Sequence, residues 1–349
     1  MKGRASFLVV RRDNIGDLVL TTPLIRALRR HQPDAWIGVL ANSYNAPVLR
    51  GNPDLDAIYA YDKAKHRPDR MRLAVFADTA RVLLGLRRLE LDHVILAGPG
   101  AQRQSWQLVR WIGAGDVIGF TTPDFAPYGI TSPIPYGDGT RLHEADDVFR
   151  LLQAVGVSGE VPDCVVRPDA PLAAALGEEA VRTLGTRRPW IGVHLSARRV
   201  KQRWPAARFA EAMRFLHQRF GAGFILFWAP GAADDPQHPG DDALAREVRS
   251  LSPAETPVFA LATTRLEQLI AGLSLCDAAM MADGGAMHLA AALGRPVVAL
   301  FGDSPVSRWR PWGVEHEIVQ ASSGDVADVP VSDMALAWER LMPRVALAR

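Results

Sequence analysis

Residues 278–301 read AAMMADGGAMHLAAALGRPVVALF. The run Ala278–Ala282 is apolar throughout, as suits a strand buried on both faces. Asp283, Gly284 and Gly285 then supply a tight turn. An alanine-rich helix follows and ends at Gly294, a residue that closes helices because it tolerates a left-handed backbone. Arg295 and Pro296 separate it from a second continuous apolar run, Val297–Phe301. Strand, turn, helix and strand in one short stretch make a βαβ unit. Strands that are apolar on both faces belong to a parallel sheet covered by helices.

The same alternation extends in both directions. Phe7–Arg11, Trp36–Ala41, Ala57–Tyr61, His93–Ala97 and Val117–Phe120 read as strands, with helical spacing over Leu18–Arg30 and Arg70–Leu89. Trp190–Leu195, Phe224–Pro230, Val258–Ala262, Asp277–Asp283 and Pro296–Gly302 repeat the scheme. Two such series in 349 residues predict two Rossmann-like α/β domains, in keeping with roughly 150 residues per domain. Pro123–Thr140, rich in proline and glycine and without period, reads as a loop. A helix over His143–Val155, the prolines at 162, 168 and 171, and a helix ending near Arg182 place the linker at 160–172. The expected domains are 1–165 and 166–349, with the last helix packing back on the first. Ligands of open α/β sheets lie beyond the carboxyl ends of the strands. Two such edges facing across a cleft are expected to gather the functional motifs.

Hydrophobic residues make up 48% of the chain and charged ones 22%, and the net charge is only +2, which argues against a nucleic-acid binder. Cys164 and Cys276 match no metal or redox spacing and read as buried, inert thiols. Phe7–Val10 is too short for a signal peptide, and no run of about 18 apolar residues predicts a transmembrane helix. The expectation is a cytosolic protein that can visit a membrane surface.

Five segments carry candidate chemistry. Arg11-Arg12-Asp13-Asn14-Ile15-Gly16-Asp17 follows the first strand and opens a helix. Asp17 there reads as an N-cap or as a functional carboxylate, and Asp13 has a similar choice. His194–Pro205 (HLSARRVKQRWP) gathers Ser196, Arg198, Arg199, Lys201 and Arg203 at a strand's carboxyl end, which suits a diphosphate or forms a solvated basic loop. Lys201 is the only lysine beyond residue 65. Asp283–Met287 places small residues at a helix N-terminus, where free N–H groups bind phosphate. His288, one turn on, reads as a core histidine. Ala229–Asp235 could offer Asp234 to a ribose, or be an exposed acidic loop. Lys63–Arg72 is basic and suits an anionic acceptor or membrane surface, or is a solvated charge run.

Taken in order, NIGDLVLTTPLIRALR (14–29), the Ser196…Lys201…Arg203-Trp204-Pro205 stretch and ADGGAMHLAAALGRPVVALFG (282–302), continued by DSPVSRWRPWG (303–313), resemble glycosyltransferase family 9, the heptosyltransferases. The resemblance implies a GT-B fold, inversion at the anomeric centre, ADP-heptose as donor and no essential metal or other cofactor. It implies Asp17 as general base. Ser196 and Lys201 become phosphate ligands, with Arg203 as a substitute because the spacing to Trp204-Pro205 is off by one and puts Gln202 in the lysine's place. Asp283, Gly284, Gly285, Ala286 and Met287 form the donor segment, and Asp234 stands where the family usually has Glu. Lys65, Arg67 and Arg70 are assigned to the acceptor, an anionic glycolipid or polysaccharide, with peripheral contact at the inner membrane. Two readings stand beside this one: a GT-B UDP-sugar 2-epimerase, which consumes no acceptor, and a nucleotide-sugar-binding protein without turnover.

Overall fold

The computed structural model describes residues 4–62, 72–98, 103–122, 129–137, 142–234 and 240–347. The chain divides into two compact units, Met1–Val166 and Arg167–Arg349.

The first unit is a parallel sheet of β1 (Ser6–Val10), β2 (Trp36–Asn42), β3 (Ala57–Tyr61), β4 (His93–Leu96), β5 (Asp116–Thr121) and β6 (Ser132–Pro135), in the order β3-β2-β1-β4-β5-β6. Helices α1 (Ile15–Val19), α2 (Thr22–His31), α3 (Arg72–Arg87), α4 (Arg103–Ile112) and α5 (Glu144–Phe149) connect and cover it. β1 is buried along its whole length, and Val9 pairs with both Val39 and Ile95, which puts it at the centre of the sheet.

The second unit repeats the plan. Its strands are β7 (Trp190–His194), β8 (Gly223–Trp228), β9 (Val258–Ala262), β10 (Ala278–Ala282), β11 (Val297–Phe301) and β12 (His316–Gln320), all parallel in the order β12-β11-β10-β7-β8-β9. Around them lie α6 (Ala170–Leu184), α7 (Ala206–Phe220), α8 (Asp242–Leu251), α9 (Leu266–Ser274), α10 (Gly285–Ala292), α11 (Val306–Trp309) and α12 (Val331–Leu347). Both sheets have the doubly wound order, which reverses between β1 and β4 in one and between β7 and β10 in the other. Loops leaving the strands on either side of such a reversal diverge, and the crevice between them is where these sheets bind ligands.

Three expectations change. β6 lies inside the stretch read as loop: Gly119 pairs with Pro133 and Phe120 with Ile134. A strand with two prolines lacks the apolar run of a central one, and the edge of a sheet is where proline is tolerated. β12 (HEIVQ) was missed for the same reason, since an edge strand keeps polar residues. The single helix read over Leu18–Arg30 is two helices. The Thr21 and Thr22 hydroxyls donate to the carbonyls of Asp17 and Val19, and Pro23 opens the second helix. Within the second unit, α12 packs against α7 and β12. Its Met334, Ala337, Trp338 and Leu341 recur at helical spacing and are fully buried in that unit's core.

Cys164 and Cys276 are buried free thiols. Burial pushes the Cys164 thiol up to about 12 and the Cys276 thiol higher still, so both stay protonated. A Cβ on Gly192 of β7 would stand 2.9 Å from Cys276 Sγ, so the glycine makes room for that sulfur. Among the described residues no helix is long and apolar enough to cross a membrane.

Candidate functional site

In the first unit the turn between β1 and α1 is held from several sides. Asn14 is the N-cap of α1 and Asp17 its third residue. The Asp17 carboxylate reaches back and accepts from Asn14 N and Asn14 Nδ2, each at 2.8 Å. Asp17 therefore caps the helix from inside it, as the acidic half of a capping box, and not as the N-cap itself. Its other oxygen lies 3.0 Å from Arg11 Nη2. The turn's carbonyls are held in turn, since Asn42 Nδ2 donates to Arg12 O at 2.9 Å and Asn45 Nδ2 to Asp13 O at 3.3 Å. Asp17 is 7% exposed, so solvent competes weakly for its oxygens.

Arg11 itself is fully buried and ion-pairs with Asp13, Asp17 and Glu144. Burial would lower its pKa, but the carboxylates of Glu144, Asp17 and Asp13 outweigh burial and raise it, so the guanidinium stays charged. Sequence reading gave Arg11 no role and did not find Glu144. An acidic residue in the first turn of a helix is common, and nothing in its sequence surroundings marks one that will be buried.

In the second unit, three neighbouring strands send their loops to one place. β7 leads to Ser196 and the basic loop, β10 to Asp283–Ala286, and β11 to Gly302–Ser304. Gln202 Nε2 donates to Asp283 Oδ2 at 3.2 Å, which ties the first loop to the second. A Cβ on Gly302 would lie 3.1 Å from the Lys201 carbonyl, so the first loop also runs against the third. Burial raises the Asp283 carboxyl above its ordinary value, although a Ser304 hydrogen bond and the charge of Arg199 pull it down.

Backbone donors complete this face. Met287 N–H bonds to the Gly284 carbonyl at 3.1 Å, whereas Gly285 and Ala286 N–H have no partner among the described residues, as expected for the first residues of a helix. A Cβ on Gly284 would meet nothing within 4 Å, so space is open beside them. Met287 was expected in the donor segment, but its side chain is fully buried and its N–H is used within the turn. It belongs to the core. The buried His288 ring packs edge-on against Trp309 at 6.3 Å, a core position as expected.

The cations of the basic loop divide. Arg203 Nε donates to Ala197 O at 3.1 Å and its Nη1 lies 3.8 Å from Asp241, so this side chain holds the loop in shape. Lys201 is exposed and bonds no other described residue. Ser196 Oγ accepts Ala229 N–H at 2.9 Å and keeps its own hydrogen for another acceptor. Asp234 is exposed, and among the described residues no contact links it to Ser196 or Asp283. Its loop is shaped by Asp242, which accepts from Trp228 Nε1 at 2.7 Å and from Gly231 N at 3.0 Å. The expected acceptor residues Lys65, Arg67 and Arg70 lie outside the described residues. Among those described, no three His, Cys, Asp or Glu side chains come together as a metal site requires.

Comparison with known proteins identifies the family and the fold. The family model "Glycosyltransferase family 9 (heptosyltransferase)" matches residues 84–336. Lipopolysaccharide heptosyltransferase 2 of Escherichia coli K12 is 30% identical over 330 residues, 91% of this chain and 88% of that protein. A family 9 glycosyl transferase from Veillonella parvula superposes with a TM-score of 0.83 at 21% identity, covering 99% of both chains. E. coli heptosyltransferase WaaC with ADP superposes at 0.75 and 15% identity, covering 96% of this chain and 99% of its own. The fold is therefore the GT-B fold, the epimerase reading falls away, and the chain belongs to glycosyltransferase family 9, the heptosyltransferases.

Proposed function

We propose that this glycosyltransferase moves heptose from ADP-heptose to a lipopolysaccharide-core acceptor, with inversion and without a metal ion. The observation that carries the reading is the meeting, at the β7/β10 reversal, of the loop that holds Ser196 and Lys201 with the turn that holds the Gly285 and Ala286 N–H groups, joined by the Gln202–Asp283 bond. Hydroxyl, ammonium and unpartnered backbone donors on one crevice match a diphosphate's needs. The choice of ADP and heptose draws on the relatives, among them a heptosyltransferase solved with ADP. A lipid-anchored acceptor would bring the enzyme to the cytoplasmic face of the inner membrane.

In this account Asp17 takes the proton of the acceptor hydroxyl as that oxygen attacks the anomeric carbon. The bond from that carbon to the diphosphate breaks, and the leaving ADP gains negative charge. Lys201, Ser196 and the α10 N-terminus stabilise that charge without transferring a proton. Arg203 keeps the loop in place, and Asp283 stands beside the donor sugar.

A nucleotide panel tests the donor reading. Calorimetry with ADP, UDP, GDP and CDP should find ADP bound most tightly. Equal affinity for all four, or none, would remove ADP-heptose from the account.

A further inference from the structure

Two carboxylates from distant parts of the first unit meet on one buried guanidinium. Arg11, which follows β1, and Glu144, the first residue of α5, are both fully buried. Arg11 Nη2 lies 2.8 Å from Glu144 Oε1 and 3.0 Å from Asp17 Oδ1. The Nη1 of Arg11 donates to the Ala97 carbonyl at the end of β4, and Nε lies 3.2 Å from Asp13. The guanidinium is thus locked from below by β4 and α5 and presents one edge to the turn that carries Asp17.

Stability alone does not explain such a group. An apolar set of the same shape commonly serves a core as well as a buried ion pair does. What the cluster adds is control of Asp17. The planar guanidinium fixes where the Asp17 oxygen can sit, and a second, fully buried carboxylate on the same nitrogen holds that guanidinium in place.

We propose that Glu144 is a positioning residue that acts through Arg11, holding the Asp17 carboxylate in the orientation in which it takes the acceptor's proton. The proposal rests on Asp17 being the general base. Asp13 shares Arg11, His143 Nδ1 accepts the Ala145 N–H, Asp147 pairs with Arg150, and Arg12 lies over Tyr61.

The test is a double-mutant cycle read with ADP-heptose and a Kdo-bearing lipid A acceptor. Glu144→Gln keeps an oxygen for Arg11 and removes the charge. It should lower kcat about tenfold or more and leave the donor KM unchanged, because a displaced base slows proton transfer without touching the donor site. Glu144→Asp should recover part of the rate. In an Asp17→Asn background Glu144→Gln should change kcat no further. Arg11→Lys, which keeps a cation but not the fork, should reproduce the signature and provides the cycle if Glu144→Gln does not fold. An equal fall in both backgrounds, or a fall in which the donor KM changes as much as kcat, overturns the positioning role while leaving Asp17 as base. A wild-type rate for Asp17→Asn alone overturns the base reading, and the positioning role with it.

Discussion

Gln202 donates its side-chain amide to the Asp283 carboxylate across 3.2 Å, and so joins the loops that leave β7 and β10 on either side of the reversal in strand order. The bond keeps a carboxyl group at the inner edge of the crevice, where burial raises it above its ordinary value. A carboxyl raised by folding is favoured in its protonated form. The stability it lends is full below the ordinary carboxyl range, near 4, and is lost as pH rises through the higher folded value.

Asp283→Asn should therefore become more stable relative to wild type as pH rises from about 4 to 7, because asparagine carries no charge to desolvate. Activity should fall in the same variant, since the amide cannot replace the carboxylate beside the donor sugar. Melting curves across that range, paired with rates at pH 7, check both halves. A stability difference that does not change with pH would mean that Asp283 ionises in the fold at little cost.

Lys201→Ala should weaken binding of the nucleoside diphosphate by about ten- to a hundredfold, since a charge-assisted contact is worth roughly 1.5–3 kcal/mol. Arg203→Ala should act differently. Its guanidinium holds the Ala197 carbonyl and faces Asp241, so its loss should loosen the loop and lower the melting temperature, with a smaller effect on affinity. Calorimetry beside melting curves separates the two. A large affinity loss in Arg203→Ala with an indifferent Lys201→Ala would exchange their roles.

Transfer should persist in EDTA. In the proposed mechanism the ammonium of Lys201 and the N–H groups of Gly285 and Ala286 would provide the electrostatic stabilisation that a divalent cation brings to other phosphoryl leaving groups. Activity that vanishes with chelator and returns with magnesium would contradict this.

Replacing Lys65, Arg67 and Arg70 together with neutral residues should raise the acceptor KM and flatten its dependence on ionic strength, because salt screens exposed charge pairs. Donor affinity should not move, since the donor motifs lie in the second unit. An acceptor KM unchanged across salt concentrations would make this segment a solvated charge run.

Much of the fold was legible because central parallel strands are apolar on both faces, as in Phe7–Val10 and Val297–Phe301. The edge strands β6 and β12 were not, since an edge admits Pro133 and His316 and so loses the pattern. The site divides in the same way. Asp17, Ser196, Lys201 and Asp283 stand out as candidates in the sequence because each lies in the segment that leaves a strand's carboxyl end. Glu144 and the role of Arg11 could not, because their meaning is a tertiary meeting that no local pattern records. Met287 was misplaced because a motif names a segment, whereas burial decides which of its residues face a ligand.

The most direct measurement is mass spectrometry of the products formed from ADP-heptose and a Kdo-bearing lipid A acceptor, with wild type and Asp17→Asn compared. The account predicts an acceptor heavier by one heptose and one ADP released per transfer. It also predicts a rate lower by about a hundredfold or more in the variant, the usual scale for a positioned general base, with donor affinity unchanged. Donor converted without any gain in acceptor mass, or an Asp17→Asn rate equal to wild type, would contradict it.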